Sequence, residues 1–381
     1  MTDFASLRLS APLLKAIAAQ NYTQPYPIQA QVIPAVLKGN DILGVAQTGS
    51  GKTASFVLPI LEMLLVASSS KNRHIAVLIL VPTRELAVQV GEVFSNFGAD
   101  LPRKIKSLAV FGGVSINPQM INLQGVEILV ATPGRLLDLL EHNALYLSDV
   151  KMLVIDEADK MLNLGFKDEM TRIFGLLPQK RQNLLFSATL GKDVNTITEF
   201  VLQNPVKIEI KAETQNLDLI TQTAYVVSEE RKGVLLRYLI KTQEMRQVLV
   251  FTSSVHRADA VVVKLNKNGI EAKALHSDKS QGARTEALNA FKSGKLRVLV
   301  ATDLASRGID IQFLPFVINY ELPRSPKDYI HRIGRTGRAE SAGQAIALIC
   351  PEDEAHFKVI QKKMGKEVPL IATDALNLHG F

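Results

Sequence analysis

Short apolar runs separated by amphipathic segments recur along most of the chain. They are residues 42–45, 77–81, 126–130, 152–155 and 183–186 in the first half, and residues 247–251, 297–302, 316–320 and 345–349 in the second. Runs that are apolar on both faces are typical of strands in a parallel sheet covered by helices on both sides. Residues 4–40 instead carry helical spacing, with a helix start expected at Ser10. The pattern therefore predicts an α/β fold.

The alternation lapses between residues 204 and 218, and this polar interval divides the chain. With 381 residues, the chain is long for a single domain. We expect a first domain over residues 1–208, a flexible linker over residues 209–218 and a second domain over residues 219–381. The second half repeats the alternation of the first without repeating its Gly-Lys-Thr, so the two domains are expected to differ in function.

Composition excludes several classes of protein. No apolar run reaches the roughly 18 residues that span a bilayer, and residues 1–6 lack the charged-then-apolar layout of a signal peptide. The single cysteine, Cys350, excludes an internal disulfide framework and a Cys-rich zinc site, and it is interpreted as a buried strand residue. We expect a soluble, cytoplasmic protein with no membrane partner.

The net charge of +7 suits a polyanionic partner without proving one. Residues 1–208 carry 19 Lys and Arg against 17 Asp and Glu, and residues 209–381 carry 25 against 20, so the excesses are +2 and +5. The sequence shows no dense basic tail. Any nucleic-acid site is therefore expected on the folded surface.

The stretch after the first apolar run has the features of a phosphate-binding loop. It consists of Ala46, Gln47, Thr48, Gly49, Ser50, Gly51, Lys52 and Thr53. The glycines allow the backbone N–H groups to form an anion-binding nest, Lys52 can reach the β- and γ-phosphates, and the Thr53 hydroxyl can ligate Mg²⁺. The helix expected to follow adds its N-terminal dipole. Ala46 stands where the strict signature has Gly, and a turn that binds nothing is the alternative.

Acidic residues follow the run that ends at residue 155. Asp156 lies at the end of a predicted buried strand in the domain of the phosphate loop, where a Mg²⁺ ligand belongs. Glu157 could orient or deprotonate the attacking water. Alone, such a run is more typical of a solvated loop, but the phosphate loop upstream favours the catalytic interpretation. Thr53 and Asp156 are the predicted metal ligands.

With these residues, Asp-Glu-Ala-Asp at 156–159, the chain resembles the DEAD-box ATP-dependent RNA helicases over essentially its whole length. Matching blocks occur in the family's order at residues 21–29, 46–53, 82–87, 112–113, 132–135, 156–159, 187–189, 250–253, 301–310 and 331–338. Residues 276–284 look most like the bacterial RhlE-type subgroup. Asn21 replaces the family's usual Gly, Tyr26 replaces a Thr or Ser, and Ser277 replaces a Gly.

The resemblance implies an adenine-reading element around Gln29. The amide of Gln29 has the geometry that pairs with N6 and N7 of adenine. Tyr22 or Phe4 would stack on the base. The alternative is that Phe4 and Tyr22 are core aromatics and that Gln29 lies on a helix surface.

The resemblance also implies RNA contacts in both domains. The implied residues are Thr83, Arg84, Gly112, Gly113, Thr132 and Arg135 in the first domain, and Thr302 and Arg307 in the second. Several of them follow strand ends, where open α/β sheets place ligands. Hydroxyl groups, guanidinium groups and bare backbone can contact phosphates without reading bases, and 2′-hydroxyls would select RNA. Alternatively, each arginine is an ordinary surface or salt-bridged side chain.

Residues 331–338 of the second domain, His-Arg-Ile-Gly-Arg-Thr-Gly-Arg, are the counterpart of the phosphate loop. Arg335 and Arg338 lie three residues apart and would neutralise charge on the γ-phosphate. The resemblance implies that Asp310 faces the ribose and that His331 couples to residues 187–189, the block that links ATP state to RNA. The alternative is a basic helix bound to carboxylates of its own domain.

The fold that the resemblance implies is two RecA-like α/β domains, each a mainly parallel sheet with helices on both faces, joined by the flexible linker. ATP and Mg²⁺ would bind to the first domain, completed by Arg335 and Arg338. The implied activity is ATP-driven separation of short RNA duplexes or remodelling of RNA–protein complexes.

The implied partners are single-stranded RNA and short duplexes, bound through the backbone, and proteins of ribosome assembly or RNA decay; a monomer is expected. Two alternatives stay open at this point. One is an ATP-gated RNA clamp or assembly scaffold without useful unwinding, and the other is a DNA-translocating motor.

Overall fold

The computed structural model describes residues 3–47, 49–67, 72–210, 219–306, 311, 314–337, 343–374 and 376–381. The chain separates into two units, Met1–Ala212 and Glu213–Phe381, called here the first and the second unit. Each unit contains a seven-stranded sheet, and the described strand pairs are parallel. The predicted α/β fold is therefore confirmed. No helix in the described ranges is long and apolar enough to cross a membrane.

The first unit begins with a 3-10 turn, Ala5–Leu7, before its helices and strands. Its strands are β1 (Ile42–Val45), β2 (Val77–Leu80), β3 (Ser107–Val110), β4 (Ile128–Ala131), β5 (Met152–Ile155), β6 (Gln182–Ser187) and β7 (Val206–Glu209). Its helices are α1 (Ala11–Ala19), α2 (Pro27–Leu37), α3 (Lys52–Val66), α4 (Arg84–Gly98), α5 (Asn117–Asn122), α6 (Pro133–Glu141), α7 (Ala158–Asn163), α8 (Lys167–Gly175) and α9 (Lys192–Val201). The strand order is β3-β4-β2-β5-β6-β1-β7.

The second unit repeats this topology. Its strands are β8 (Ile220–Val226), β9 (Val248–Thr252), β10 (Ala272–Leu275), β11 (Val298–Thr302), β12 (Phe316–Asn319), β13 (Gly343–Ile349) and β14 (Leu370–Ala372). Its helices are α10 (Glu229–Thr242), α11 (Val255–Lys267), α12 (Gln281–Lys292), α13 (Asp303–Ser306), α14 (Pro326–Ile333) and α15 (Glu354–Met364). The strand order is β10-β11-β9-β12-β13-β8-β14, so each strand corresponds to the one numbered seven lower in the first unit.

The apolar runs arise because both faces of each sheet are covered. In β1, Ile42 belongs to the core cluster on one face and Leu43 to the cluster on the other. In β2, Val77 and Ile79 likewise join one cluster, while Leu78 joins the other. Successive side chains of a strand point to opposite faces, so a strand buried on both sides needs apolar residues throughout.

All predicted strands are present, with ends that shift by one or two residues, but β3, β7, β8, β10 and β14 were not predicted. Edge strand β7 shows why, because Val206, Lys207 and Glu209 are exposed and only Ile208 is buried. Pairing of Val45 with Glu209 carries the sheet into the segment predicted as a linker. Residue 209 is thus a strand residue, and residues 211–218 lie outside the described ranges.

A buried carboxylate joins three strands at the edge of the first sheet opposite the phosphate loop. Asp41, which directly precedes β1, is 7% exposed. Its carboxylate accepts hydrogen bonds from Asn183 N at 2.7 Å, Asn183 Nδ2 at 3.1 Å and Gln203 N at 2.8 Å. Its carbonyl oxygen accepts from Val206 N at 2.8 Å. Asp41 therefore holds the starts of β1 and β6 and the approach to β7 together.

We expect Asp41→Ala to lower the free energy of unfolding of the first unit by about 2–4 kcal/mol, because it leaves three donors without an acceptor. Urea denaturation followed by circular dichroism measures the change. Asp100→Ala, at an exposed position of the same unit, is the control. Equal midpoints for the two variants would contradict the role given to Asp41.

Candidate functional site

The strand order brings two groups of predicted site residues to the carboxyl edge of the first sheet. The phosphate loop follows β1, residues 156–159 follow β5, and residues 187–189 include the end of β6; these strands are neighbours. The residues predicted to contact RNA in this unit follow β2, β3 and β4, which form the adjoining half of the sheet. Parallel strands present their carboxyl ends at one edge, which is where α/β folds bind ligands.

The phosphate loop leads from β1 into the N-terminus of α3, with Gly49 and Gly51 at positive φ. Lys52, at the start of α3, is 6% exposed, and its Nζ donates to Ala46 O at 2.6 Å. Ser50 Oγ donates to Gln47 O at 2.8 Å. Thr48 lies outside the described residues. The loop therefore has the strand–turn–helix context predicted for phosphate binding.

The predicted adenine-reading element is tied to this loop. Gln29 is buried, not on a helix surface; its Oε1 accepts from Tyr26 N at 3.0 Å and its Nε2 donates to Gly51 O at 3.1 Å. A Cβ on Gly51 would lie 2.7 Å from Gln29 Nε2 and 2.9 Å from Tyr26 Cδ2. Only glycine therefore fits at position 51. The Tyr26 ring packs against this glycine from the position where the family pattern has Thr or Ser.

The two aromatic residues proposed to stack on adenine contact each other. The rings of Phe4 and Tyr22 lie edge to face at 6.4 Å, and Tyr22 makes a similar contact with Phe97 at 5.4 Å. Phe4 is 6% exposed and belongs to the core, while Tyr22 is half-buried against it. Both residues serve the packing of the first unit, and a stacking role for either stays a prediction.

Asp156 and Glu157 lie buried at the end of β5. Asp156 Oδ1 accepts from Glu157 N at 2.9 Å. Burial raises the pKa of the Asp156 carboxyl to about 6, against a smaller lowering by the Lys52 cation and with a further rise caused by Glu157. Burial therefore disfavours the negatively charged form of Asp156, and a bound cation would compensate that negative charge.

The donor set fits Mg²⁺ only together with a nucleotide. The described residues contain no group of three or more His, Cys, Asp or Glu that could hold a metal ion. Asp156 and the hydroxyl of Thr53, in the first turn of α3, offer two oxygens. Mg²⁺ in nucleotide sites characteristically takes one or two protein oxygens and completes its shell with phosphate and water.

A hydrogen bond links residues 156–159 to the residues that follow β6. Thr189 Oγ1 donates to Asp159 Oδ2 at 3.1 Å. Ser187 Oγ donates to Thr189 O at 2.7 Å, and Ala46 N donates to Ser187 O at 3.1 Å. The phosphate loop, residues 156–159 and residues 187–189 are therefore joined by hydrogen bonds within one unit.

The residues predicted to contact RNA in the first unit also lie together. Arg84 packs its guanidinium over Gly113, which has φ +74 and where a Cβ would overlap that group. Arg135 is buried; its Nη2 donates to Val114 O at 2.7 Å, its Nε bonds Asp138 at 3.3 Å, and its Nη1 has no partner among the described residues. Each arginine thus touches the loop that holds Gly112 and Gly113.

Thr83 and Thr132 stand at the starts of helices beside these arginines. Thr83 caps α4, its Oγ1 accepting from Leu86 N at 3.3 Å. Thr132 is buried immediately before α6, and its backbone N–H donates to Val110 O at 3.1 Å. Both threonines follow the carboxyl end of a strand, as predicted.

Sequence reasoning missed two residues of this edge. Gln119 is buried, accepts from Phe111 N at 3.0 Å and donates to Phe111 O at 3.1 Å, which fixes the start of the glycine loop. Lys160 Nζ lies 2.7 Å from Glu157 Oε1. Lys160 could have been found from its position three residues after Glu157, a spacing at which charged side chains on a helix meet. No motif pointed to Gln119.

In the second unit, the described residues of the block 331–338 lie in different surroundings. Arg332 is buried, and its Nε and Nη2 donate to the two carboxylate oxygens of Asp303 at 2.6 and 2.7 Å. Its Nη1 donates to Asn319 Oδ1 at 2.9 Å. This contact matches the predicted alternative of a basic residue bound to its own domain. His331 is exposed, and Arg335 is half-buried just after α14.

Of the other residues predicted in the second unit, Thr302 ends β11 and is half-buried. Arg307, Asp310 and Arg338 lie outside the described residues.

Comparison with known proteins agrees with this arrangement. The family described as DEAD/DEAH box helicase matches residues 26–197, and the family described as helicase conserved C-terminal domain matches residues 231–340. The DEAD-box ATP-dependent RNA helicase RhpA of Helicobacter pylori is 39% identical over 377 residues, 98% of this chain and 75% of the relative. The ATP-dependent RNA helicase CshA of Listeria monocytogenes is 38% identical over 369 residues, 97% of this chain and 70% of the relative.

Solved structures show the same similarity. The structure of S. cerevisiae Dbp5 bound to RNA and ADP BeF3 has a TM-score of 0.82 and 32% identity, and the match covers 98% of this chain and 96% of that one. A DEAD box protein from the hyperthermophile Methanococcus jannaschii has a TM-score of 0.55 and 36% identity, with 97% and 99% covered. With both family matches and relatives of this identity along nearly its whole length, the chain belongs to the DEAD-box family of ATP-dependent RNA helicases.

Proposed function

We propose that the first unit binds Mg-ATP at the carboxyl ends of β1, β5 and β6 and the RNA backbone at those of β2, β3 and β4. As a family member, the chain is an RNA-stimulated ATPase that separates or remodels RNA with the energy of ATP. The proposal assigns this activity to particular residues and strands.

The observation that carries the proposal is the continuity of one sheet edge. β2 and β5 are neighbours in the centre of the sheet, so the two groups of residues meet there. The Asp159–Thr189 hydrogen bond connects the loop after β5 to the loop after β6. A shift of the metal-binding loop would thereby reach residues 187–189, which the resemblance assigns to the link between ATP state and RNA, and coupling between two ligands acts equally in both directions.

The proposed chemistry uses the groups already described. Lys52 neutralises charge on the β- and γ-phosphates, and its buried stem fixes the ammonium against Ala46 O. Asp156 and Thr53 hold Mg²⁺, which when bound polarises the phosphoryl oxygens. Glu157 orients or deprotonates the attacking water. The adenine is read by Gln29, after its amide exchanges at least one of its present bonds.

We include residues of the second unit in the proposal on the family resemblance. Arg335 and Arg338 would stabilise charge on the transferred phosphoryl group, Asp310 would face the ribose, and His331 would couple to residues 187–189. Thr302 and Arg307 would contact RNA together with the residues of the first unit. The buried bidentate bond to Asp303 assigns Arg332 to stability instead.

The RNA contacts would run through phosphates and 2′-hydroxyls. Arg135 supports this, since its Nη1 is buried without a partner among the described residues while its Nη2 holds the neighbouring loop through Val114 O. Thr83, Arg84, Thr132 and the backbone of Gly112 and Gly113 complete the surface. Such contacts bind any sequence, and 2′-hydroxyls are what distinguishes RNA from DNA.

Several finer assignments belong to the same proposal. The first domain would extend from residue 1 through the end of β7 at Glu209, and the second would span residues 219–381, with the linker between them. Residues 276–284 support the RhlE-type subgroup, although the relatives named above are RhpA and CshA. Partners in ribosome assembly or RNA decay and a monomeric state follow from the resemblance, and a cytoplasmic location agrees with the use of a single cysteine.

The test is the rate of phosphate release with RNA, with DNA of the same sequence and without nucleic acid. We expect RNA to raise the rate at least about tenfold and DNA to leave it near the basal rate, because the 2′-hydroxyl contacts are absent. Equal stimulation by DNA would support a translocating DNA motor. A clamp would be identified by RNA that stays bound after the ATP has been hydrolysed.

A further inference from the structure

The geometry of Glu157 is asymmetric. Its backbone is left-handed, with φ 53° and ψ 48°, a conformation that a non-glycine residue adopts at a cost and that often marks functional sites. The residue is 4% exposed. Oε1 lies 2.7 Å from Lys160 Nζ, whereas Oε2 is buried and has no partner among the described residues. One carboxylate oxygen is thus anchored, and the other keeps its capacity to accept a hydrogen bond unused among the described residues.

Lys160 has a defined place on the first turn of α7. Its side chain is 23% exposed, so the stem is largely enclosed and the ammonium is held near Glu157. The neighbouring Asp159 accepts from Thr189 Oγ1 and points to a different loop. The two adjacent charged residues therefore serve different partners, Asp159 the residues after β6 and Lys160 the carboxylate of Glu157.

We propose that Lys160 is a positioning residue for ATP hydrolysis, which holds Glu157 Oε1 so that Oε2 faces the attacking water. The proposal rests on the role proposed above for Glu157 as the residue that orients or deprotonates this water. The arrangement follows the general pattern of a catalytic base that is itself oriented by a third group. Removing the ammonium would let the carboxylate rotate within its pocket.

Lys160 acts on Glu157 through the direction of its carboxylate. The ammonium lies 2.7 Å from Oε1 and thereby fixes where Oε2 points. A misplacement of about 1 Å can lower a rate by about 10²-fold. We therefore expect loss of Lys160 to slow the reaction.

The experiment measures kcat at saturating RNA and the Kd for ATP in the full chain. We expect Lys160→Met to lower kcat about tenfold while the Kd for ATP changes less than about twofold. The reason is that the variant loses the fixed position of the Glu157 carboxylate at the reacting water and no contact to the nucleotide. Lys160→Arg restores the cation and should recover most of kcat. Lys192→Met, at an exposed position of α9, is the matched control and should leave both values unchanged.

A double-variant cycle separates positioning from a structural effect. In a Glu157→Gln background the base is already absent, so adding Lys160→Met should have no further effect on the single-turnover rate. An equal fall in both backgrounds, or an unchanged kcat in Lys160→Met alone, would overturn the proposal. Near-normal turnover by Glu157→Gln would instead refute the role of Glu157. If Lys160→Met folds poorly by circular dichroism, Lys160→Gln serves in the same cycle.

Discussion

Lys52→Ala should lower kcat for RNA-stimulated ATP hydrolysis by at least about 10²–10³-fold, the loss found when one preorganised charge-stabilising donor is removed, or about 2.7–4 kcal/mol of barrier. The lysine is buried at the N-terminus of α3, and its Nζ is held against Ala46 O at 2.6 Å. Its charge is therefore fixed before the nucleotide arrives.

The fold should survive this substitution. The variant removes one hydrogen bond to Ala46 O, which contributes about 1–3 kcal/mol to stability when a buried acceptor is left unpaired. Phosphate release measures the activity, and circular dichroism with a melting curve measures the fold. Lys15→Ala, at an exposed position of α1, controls for the loss of a lysine. A folded Lys52→Ala protein that turns over within about tenfold of the parent would contradict the phosphate-loop assignment.

The strands buried on both faces could be predicted from sequence because burial dictates their composition. β1, β2, β4 and β5 are nearly continuous apolar runs for that reason, and β6 contains the apolar run 184–186. The edge strands β7 and β14 could not be predicted, because β14 is exposed at each of its three positions and β7 at three of four. Backbone pairing with a neighbour makes these segments strands, and single-sequence patterns do not record pairing.

The phosphate loop was recognisable although Ala46 departs from the strict pattern. The structure explains the tolerance, since positive φ occurs at Gly49 and Gly51 but not at Ala46. Ala46 instead uses its backbone, with its N–H donating to Ser187 O and its carbonyl accepting from Lys52 Nζ. An alanine side chain does not interfere with either bond.

The supporting contacts of the site were beyond the reach of motif analysis. Arg332 and Asp303 lie 29 positions apart and meet only through the fold of the second unit. Glu157 and Lys160 are close in sequence, but a spacing of three is also that of any helical surface pair. The burial of Glu157 distinguishes this contact from an ordinary ion pair on a helix surface. Burial follows from the tertiary structure, which a motif does not contain.

Arg332 and Arg335, two arginines of the block 331–338, take different places in the structure. Arg332 satisfies its guanidinium with Asp303, Asn319 and the carbonyl oxygen of Glu321, and it lies 4.9 Å from the Phe251 ring. It thus holds α14 to the sheet of the second unit. Arg335 follows the end of α14, with its N–H bonded to Arg332 O at 3.2 Å. The anchored arginine thereby fixes the backbone from which Arg335 projects.

We expect Arg335→Ala to lower kcat by about 10³–10⁵-fold, the effect of arginine fingers in other nucleotide hydrolases. This corresponds to roughly 4–7 kcal/mol of barrier at 1.36 kcal/mol per tenfold change. The reason is electrostatic, because in the proposed role the guanidinium is a fixed cation for the charge on the transferred phosphoryl group, and the variant leaves this charge to water. The Kd for ATP should change little, since the adenine and the β-phosphate are bound by the first unit in the proposed site.

Arg335→Lys tests whether charge alone suffices. A lysine keeps the cation but loses the planar fork of donors, so we expect it to recover only part of the lost rate. Arg324→Ala, at an exposed position of the same unit, is the matched control and should behave as the parent. Phosphate release at saturating RNA gives kcat, and a titration with a fluorescent ATP analogue gives Kd. If Arg335→Ala keeps kcat within about tenfold of the parent, hydrolysis does not use this residue and the proposed arginine finger is refuted.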